Sequence, residues 1–321
     1  MKKILVTGAA GQIGSELTMA LREKYGNENV IATGHKTEPD ETLRCSGPFH
    51  FIDCSEINTV AEIVKKYRVE TIYHLAALLS AVAEKNPQLA WDVNMNGLYN
   101  VLEVARRYKC AVFTPSSIGA FGPGTPLNNT PQDTIQRPNT MYGVTKVAGE
   151  LLCDYYFKRF GVDTRGVRYP GIISYKTLPG GGTTDYAVEI YYEAIKHKKY
   201  TSYINKGTHL DMMYMPDALT AAIDLMDANP DKLQHRNAFN VSSMSVAPEN
   251  IADEIRKIIP EFTLDYKADP LRQAIADSWP NNMDDSAARQ EWGWEPTYNL
   301  ESMTKDMIER LSQKLGKEIR P

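Results

Sequence analysis

The stretch ILVTGAAGQIGSELTMAL, residues 4–21, narrows what this chain can fold into more than any other. A short apolar run ends at Gly8, Gly11 and Gly14 follow at three-residue spacing, and a helical pattern begins at residue 12. The glycines let the backbone turn sharply and approach a pyrophosphate, whose charge then meets the N–H groups and the positive end of the helix. Such a turn is weak evidence alone; between a strand and a helix it reads as a phosphate cradle.

Strand and helix signals alternate through the first half. Strands are expected at 29–34, 49–53, 71–77, 110–117 and 163–170, and helices at 12–24, 56–67, 87–107 and 141–160. This alternation implies right-handed βαβ units around a buried parallel sheet. Beyond about residue 170 the pattern changes to the glycine-rich loop KTLPGGGTTDYA (176–187), then helices near 186–197, 217–228, 248–259 and 299–315 with strand-like pieces between. The fold class expected is α/β: a Rossmann doubly wound parallel sheet with helices on both faces, residues 1–170, plus a smaller C-terminal α+β substrate-binding domain, residues 171–321. Interleaved boundaries are expected.

Composition removes several alternatives. A net charge of −4 gives no electrostatic case for nucleic acid or an anionic membrane surface. No apolar run approaches the roughly 20 residues of a membrane span, and MKK leads directly into a strand. The cytoplasm is the expected compartment. The four cysteines, Cys45, Cys54, Cys110 and Cys153, form no C-x-x-C pair and read as reduced, mostly core-filling thiols; the six histidines lack metal-type spacing.

Strand two ends Ala32-Thr33-Gly34-His35-Lys36, without the acid that would accept the adenosine ribose hydroxyls of NAD. NAD is still the dinucleotide expected, with NADP left open because Lys36 would favour a 2′-phosphate. Asp53 stands where an adenine-edge contact would come; an ordinary surface aspartate is the other reading.

YGVTK (142–146) places a phenol and an ammonium one helical turn apart on a single face. In a chain with 18 tyrosines the spacing also arises by chance, as at Tyr192 and Lys196, which reads as a helix surface pair. A free phenol is a poor base at neutral pH; adjacent positive charge favours the phenolate.

The surroundings separate the two pairs. The glycine turn, HLAA (74–77), VNMNG (93–97), PSSIGAFG (115–122), YGVTK and RYPG (168–171) occur in the order of the extended short-chain dehydrogenases/reductases, the UDP-galactose 4-epimerase-like group. That resemblance implies Tyr142 as proton acceptor, Lys146 as its electrostatic partner and holder of the nicotinamide ribose, and Ser117 or Ser116 on the substrate oxygen. It implies cofactor contacts from Gly8, Gly11, Gln12, Ile13 and Gly14, from Leu75, Ala76 and Ala77, and from Tyr169 and Pro170. Asn94 resembles the family's helix asparagine; an ordinary helix-surface amide is the alternative.

Longer segments, HLAALLSAVAEKNPQLAWDVNMNGL, RYPGIISYKTLPGGGTTDYAVEIYYEA, MMYMPDA and ADSWPNNMDDSAARQEWGW, resemble the short-chain-type L-threonine 3-dehydrogenases along essentially the whole chain. The implied reaction is oxidation of the L-threonine β-hydroxyl to 2-amino-3-oxobutanoate, a product that a partner enzyme would consume. The residues give modest support: Gly180–Gly182 with Thr183 and Thr184 could form a nest for the substrate carboxylate, and Asp185 could accept from its ammonium. Gly180–Gly182 could also hinge a lid. Ser80 is a further substrate contact by resemblance, and Trp279 reads equally as pocket wall or core. A homodimer is implied through helices 87–107 and 141–160, where Leu98, Val101, Leu102 and Val104 on one and Val147, Leu151 and Leu152 on the other would suit either pairing or sheet packing. The rivals are a nucleotide-sugar epimerase, a zinc-dependent dehydrogenase for which no metal spacing exists, and a non-catalytic nucleotide-binding sensor.

Overall fold

The computed structural model describes residues 2–177, 180 and 182–316. Gly181, part of the glycine nest and of the expected hinge, lies outside these residues. Strand β1 (Ile4–Thr7) runs into helix α1 (Gln12–Tyr25), followed by β2 (Val30–Gly34), α2 (Glu41–Cys45), β3 (Phe49–Phe51), α3 (Ile57–Tyr67) and β4 (Thr71–His74). Helices α4 (Ser80–Lys85), α5 (Pro87–Trp91) and α6 (Gly97–Tyr108) lead to β5 (Ala111–Phe113) and β6 (Ser116–Ser117). Helix α7 (Met141–Phe160) is followed by β7 (Thr164–Arg165), β8 (Val167–Tyr169) and β9 (Gly171–Ile173).

Six strands form a parallel sheet in the order β3-β2-β1-β4-β5-β7. Every residue of β1, β2 and β4 is buried, as expected when helices cover both faces. The chain order reverses between β1 and β4, so their carboxyl ends open a crevice at the topological switch point. Those ends are locked together: the Thr7 hydroxyl and His74 Nδ1 lie 2.8 Å apart.

Three expected elements are divided, the strand foreseen over 163–170 splitting at Gly166 into β7 on the main sheet and β8 on a smaller one. The strand foreseen over 110–117 breaks at Thr114–Pro115, where proline supplies no N–H to a ladder. Its second half, β6, leaves the main sheet and pairs with β8, Ser116 opposite Arg168 and Ser117 opposite Tyr169. The helix foreseen over 87–107 is interrupted by a π-turn at Asp92–Asn96, a feature frequent at functional sites.

The remaining chain forms α8 (Tyr186–His197), β10 (Lys199–Ser202), β11 (Leu210–Tyr214), α9 (Met215–Asp227), β12 (Phe239–Asn240) and β13 (Met244–Val246). It ends with α10 (Pro248–Ile258), β14 (Thr263–Tyr266), α11 (Pro270–Ala276), α12 (Ser286–Trp292) and α13 (Leu300–Leu315). Three small sheets, β12-β8-β6, β13-β11-β9 and β10-β14, complete the fold. Helix α9 returns to pack on α1, so Ala218, Ala221, Ala222 and Leu225 share one core with Ile4, Val6, Leu17 and Leu21. A separate core joins α8, α10 and α13 to β11.

Leu98, Val101, Leu102 and Val104 are buried on the sheet. Of the expected set Leu151, 64% exposed, faces outward, together with Leu89, Trp91 and Tyr99 and, on α7, Tyr155. Tyr192 is no surface residue; it is buried and donates to the Tyr175 carbonyl at 3.2 Å. Of the thiols, Cys54, Cys110 and Cys153 are buried and Cys45 is exposed. Among the described residues no helix is long and apolar enough to cross a membrane.

Candidate active site

The crevice at the ends of β1 and β4 opens into a cavity of about 240 Å³. Its floor is the glycine turn. Gly8 has φ +70°, and a Cβ there would stand 2.7 Å from the Ala76 amide nitrogen; a Cβ on Gly14 would strike the Gly8 carbonyl. Only glycine permits this close approach of turn, helix and β4 loop. Helix α1 is capped by Gly11 with no side-chain hydrogen bond, and its first turn carries no acid. Gln12, Ile13 and Gly14, in the first turn whose N–H groups have no intrahelical acceptor, line the cavity, which suits a pyrophosphate. The residues present therefore fit a dinucleotide.

One wall comes from β6 and α7. Thr140 caps α7, its hydroxyl accepting from the Gly143 N–H at 3.1 Å, and this fixes the first turn that carries Tyr142. The Lys146 Nζ lies 5.4 Å from the centre of the Tyr142 ring and donates to the Pro115 carbonyl at 2.7 Å. The position a Gly119 Cβ would take is 3.2 Å from two Tyr142 ring carbons and 3.5 Å from Ser117 Oγ, so the two side chains meet across Gly119. Ser117 Oγ accepts from the Gly119 N–H at 3.1 Å. Ser116 also borders the cavity, but its hydroxyl donates to the Glu150 carboxylate.

The opposite wall is the second half of the chain with the start of α4. Ser80, Tyr169, Pro170, Gly182, Thr184 and Trp279 all line the same cavity, with Leu75 and Ala77 beside them. Trp279 belongs at once to the wall and to the α8/α10/α13 core. Asp185 accepts from the Gly182 N–H at 2.6 Å. Among the described residues, Lys146 and Asp185 are the only charged side chains lining the cavity.

Four expected residues stand apart from this cavity, Gly180 of the expected nest among them. Ala76 and Asn94 line a smaller one behind Lys146. Asn94, in the π-turn, is buried; its oxygen accepts from the Leu78 N–H at 2.7 Å and its amide donates to Leu78 O and Thr145 Oγ1. It ties the loop after β4 to α7. Asp53, at the end of β3, lies 3.5 Å from His35 and accepts from the Ser55 hydroxyl and N–H; the hydroxyl above all holds it below the ordinary carboxylate range.

Sequence reasoning missed other parts. Leu79 lines the cavity, beside Thr183 of the expected nest. Glu16 on α1 is buried, accepts from the Ser174 hydroxyl at 2.5 Å and lies 3.5 Å from Lys176, which pins the segment after β9 to the cradle helix. Desolvation raises its carboxyl above the usual range. Its position two residues after Gly14 was the one available signal. Burial also drives His74 down to about 3, with Lys146 adding to the effect, so this imidazole is neutral at physiological pH. Among the described residues no group of three or more His, Cys, Asp or Glu side chains is arranged for a metal ion.

The NAD dependent epimerase/dehydratase family model matches residues 4–242. The chain is 62% identical to the solved L-threonine dehydrogenase of Clostridium difficile, covering 98% of each chain with a TM-score of 0.96. It is 49% identical to a monomeric L-threonine 3-dehydrogenase from a metagenome, over 97% of this chain and 99% of that one, TM-score 0.93. An uncharacterized epimerase/dehydratase of Staphylococcus haemolyticus is 57% identical over 98% of this chain and 99% of its own length. A glycine cradle, a Ser–Tyr–Lys wall and a match over most of the chain agree: the protein belongs to the NAD-dependent epimerase/dehydratase family, the extended short-chain dehydrogenases/reductases.

Proposed function

We propose that this protein oxidises L-threonine at its β-hydroxyl to 2-amino-3-oxobutanoate with NAD as electron acceptor. The observation that carries the reading is the charge content of the cleft: one ammonium, Lys146, and one carboxylate, Asp185, facing a space of about 240 Å³. With Lys146 serving the ribose and the phenol, Asp185 is left for the ammonium of a zwitterionic amino acid and the Thr183 and Thr184 hydroxyls for its carboxylate. A nucleotide sugar would bring a second diphosphate beside that of the dinucleotide, and among the described residues the cleft offers no arginine for it. The likeness to solved L-threonine dehydrogenases points the same way.

In this reading α1 and the glycine turn hold the dinucleotide phosphates, and Lys146 holds the nicotinamide ribose. The oxidised nicotinamide, when bound, supplies the hydride acceptor. Asp185 takes the substrate ammonium, while Thr183 and Thr184 offer donors to its carboxylate. Ser117 hydrogen-bonds the substrate oxygen as the hydroxyl becomes a carbonyl. Tyr142 receives the hydroxyl proton, and the neighbouring positive charge favours its ionised form. Trp279 and Leu79 help exclude water. The 1–170 and 171–321 parts then act as cofactor and substrate halves, with α9 returning to the first.

We also infer a homodimer. Leu89, Trp91, Tyr99, Leu151 and Tyr155 leave an apolar face on α5, α6 and α7 that a second copy would cover. One relative is named monomeric, so sedimentation velocity on this protein is the deciding measurement.

The function is tested by a steady-state assay crossing L-threonine, D-threonine and L-serine with NAD and NADP, with aminoacetone quantified as the decarboxylation product. Turnover is expected with L-threonine and NAD. UDP-sugar interconversion without threonine oxidation would establish an epimerase, and NAD binding without any turnover a sensor.

A further inference from the structure

Tyr142, Lys146 and Glu150 follow one another at four-residue spacing on one face of α7. Glu150 is buried, and both of its oxygens are fully engaged. They accept from the Ser116 hydroxyl, from Gln136 at 3.0 Å, and from Arg168, whose Nε lies 3.1 and 3.2 Å away and whose Nη2 lies 2.8 Å away. Arg168 in turn donates to the Gln132 carbonyl at 2.7 Å and to Asn240 at 3.0 Å, and stacks over Phe121.

Stability alone does not account for such a pair. Replacing a buried ion pair with apolar residues is often neutral or stabilising, because both charges were taken out of water. What this pair adds is placement. Ser116 and Arg168 face each other across the β6–β8 ladder, so one carboxylate grips both strands from the helix side. One turn earlier on α7, Lys146 grips the residue before Ser116 through the Pro115 carbonyl. Two contacts a helical turn apart therefore dock Pro115 and Ser116 on α7, and Ser117 follows directly.

We propose that Glu150 is a positioning residue for the Ser117–Tyr142 pair: with Lys146 it clamps the Pro115–Ser117 segment to α7 and so fixes where the Ser117 hydroxyl stands relative to the phenol. This rests on the threonine-dehydrogenase reading above. Ser116 carries the clamp on the strand side and touches the chemistry only through it.

The test is a double-mutant cycle of Ser116→Ala and Glu150→Gln, read as kcat, threonine KM and the kinetic isotope effect with threonine deuterated at Cβ. Crystal structures of wild type and Ser116→Ala accompany it. Ser116→Ala leaves the Glu150–Arg168 pair intact and guards against a Glu150 variant that fails to fold. The expected result is a kcat loss of about tenfold, since misplacements near 1 Å are costly to catalysis. KM should stay within about twofold, the isotope effect should rise, and Glu150→Gln should add little to Ser116→Ala. The Ser117–Tyr142 separation should also change in the crystal. An unaltered separation, or a Ser116→Ala enzyme with wild-type kcat and isotope effect, overturns the clamp. A wild type that ignores threonine defeats the parent reading alone, and the crystal comparison still decides the clamp.

Discussion

Lys146 stands with its ammonium 5.4 Å from the Tyr142 ring centre, and that ammonium is tied to the Pro115 carbonyl at 2.7 Å. The carbonyl uses one of the three ammonium protons, leaving the others for the phenol side of the cleft and for a ribose. On the proposed reading the lysine serves the strand, the phenol and the cofactor together. Its loss should have consequences that loss of the phenol does not.

Tyr142→Phe is expected to lower kcat by about a thousandfold or more, because the proton acceptor is gone, while NADH binding measured by fluorescence stays within about threefold. Lys146→Met should lower kcat comparably and also weaken NADH binding. Equal NADH affinity in the two variants would contradict the division of roles.

Gly119 separates the phenol from the Ser117 hydroxyl. A methyl group there would press on Tyr142 ring carbons at 3.2 Å, tighter than ordinary contact. Gly119→Ala should therefore fold, with a small change in Tm, and lose about tenfold or more in kcat. Unchanged kcat would mean the ring can yield without leaving the reactive position.

Asp211, on β11, is buried; its Oδ2 accepts from the Met283 N–H at 3.0 Å, and burial raises its carboxyl to about 7. The folded state then holds this proton more tightly than the unfolded chain, where the ordinary value is 3.8. Its contribution to stability is present below pH 3.8 and is lost as pH rises toward 7, by up to about 4 kcal/mol. Asp211→Asn removes the titration. Denaturant melts should show the variant gaining on wild type between pH 4 and 7, with no further gain above. A pH-independent difference would contradict the assignment. His74 has the opposite sign: its folded value, about 3, makes stability fall as pH drops below the ordinary 6.5.

A second copy on the outward face of α5–α7 is tested with Leu151→Glu. The substitution places a charge on a residue 64% exposed in the single chain, so the fold should tolerate it. The sedimentation coefficient should fall from the dimer to the monomer value. A wild type that sediments as a monomer would contradict the pairing.

The parts of this molecule legible in the sequence are those decided locally. Gly8 needs a positive φ, and Gly14 a contact that no side chain allows; both requirements are written in the residue type. Helix α7 begins and ends as its Thr140 cap and left-handed Gly161 dictate, and the expected 141–160 matches it. What escaped was decided by partners distant in the chain. The departure of β6 from the main sheet depends on β8, some 50 residues on. Asn94 reads from the sequence either as the family's helix asparagine or as a surface amide, because helical periodicity does not reveal the π-turn that holds it against Leu78 and Thr145. The Pro115 carbonyl is a backbone group and leaves no residue-type signal. Tyr192 and Lys196 have the right spacing, but Tyr192 is buried and its hydroxyl is spent on the Tyr175 carbonyl and Lys314.

The most direct measurement is isotope transfer: incubate the protein with NAD and L-threonine deuterated at Cβ, follow absorbance at 340 nm, and weigh the reduced dinucleotide by mass spectrometry. Growth of NADH carrying one deuterium, together with aminoacetone, is the predicted result, with none from Tyr142→Phe. No NADH from threonine, or turnover of a UDP-sugar in its place, would contradict it.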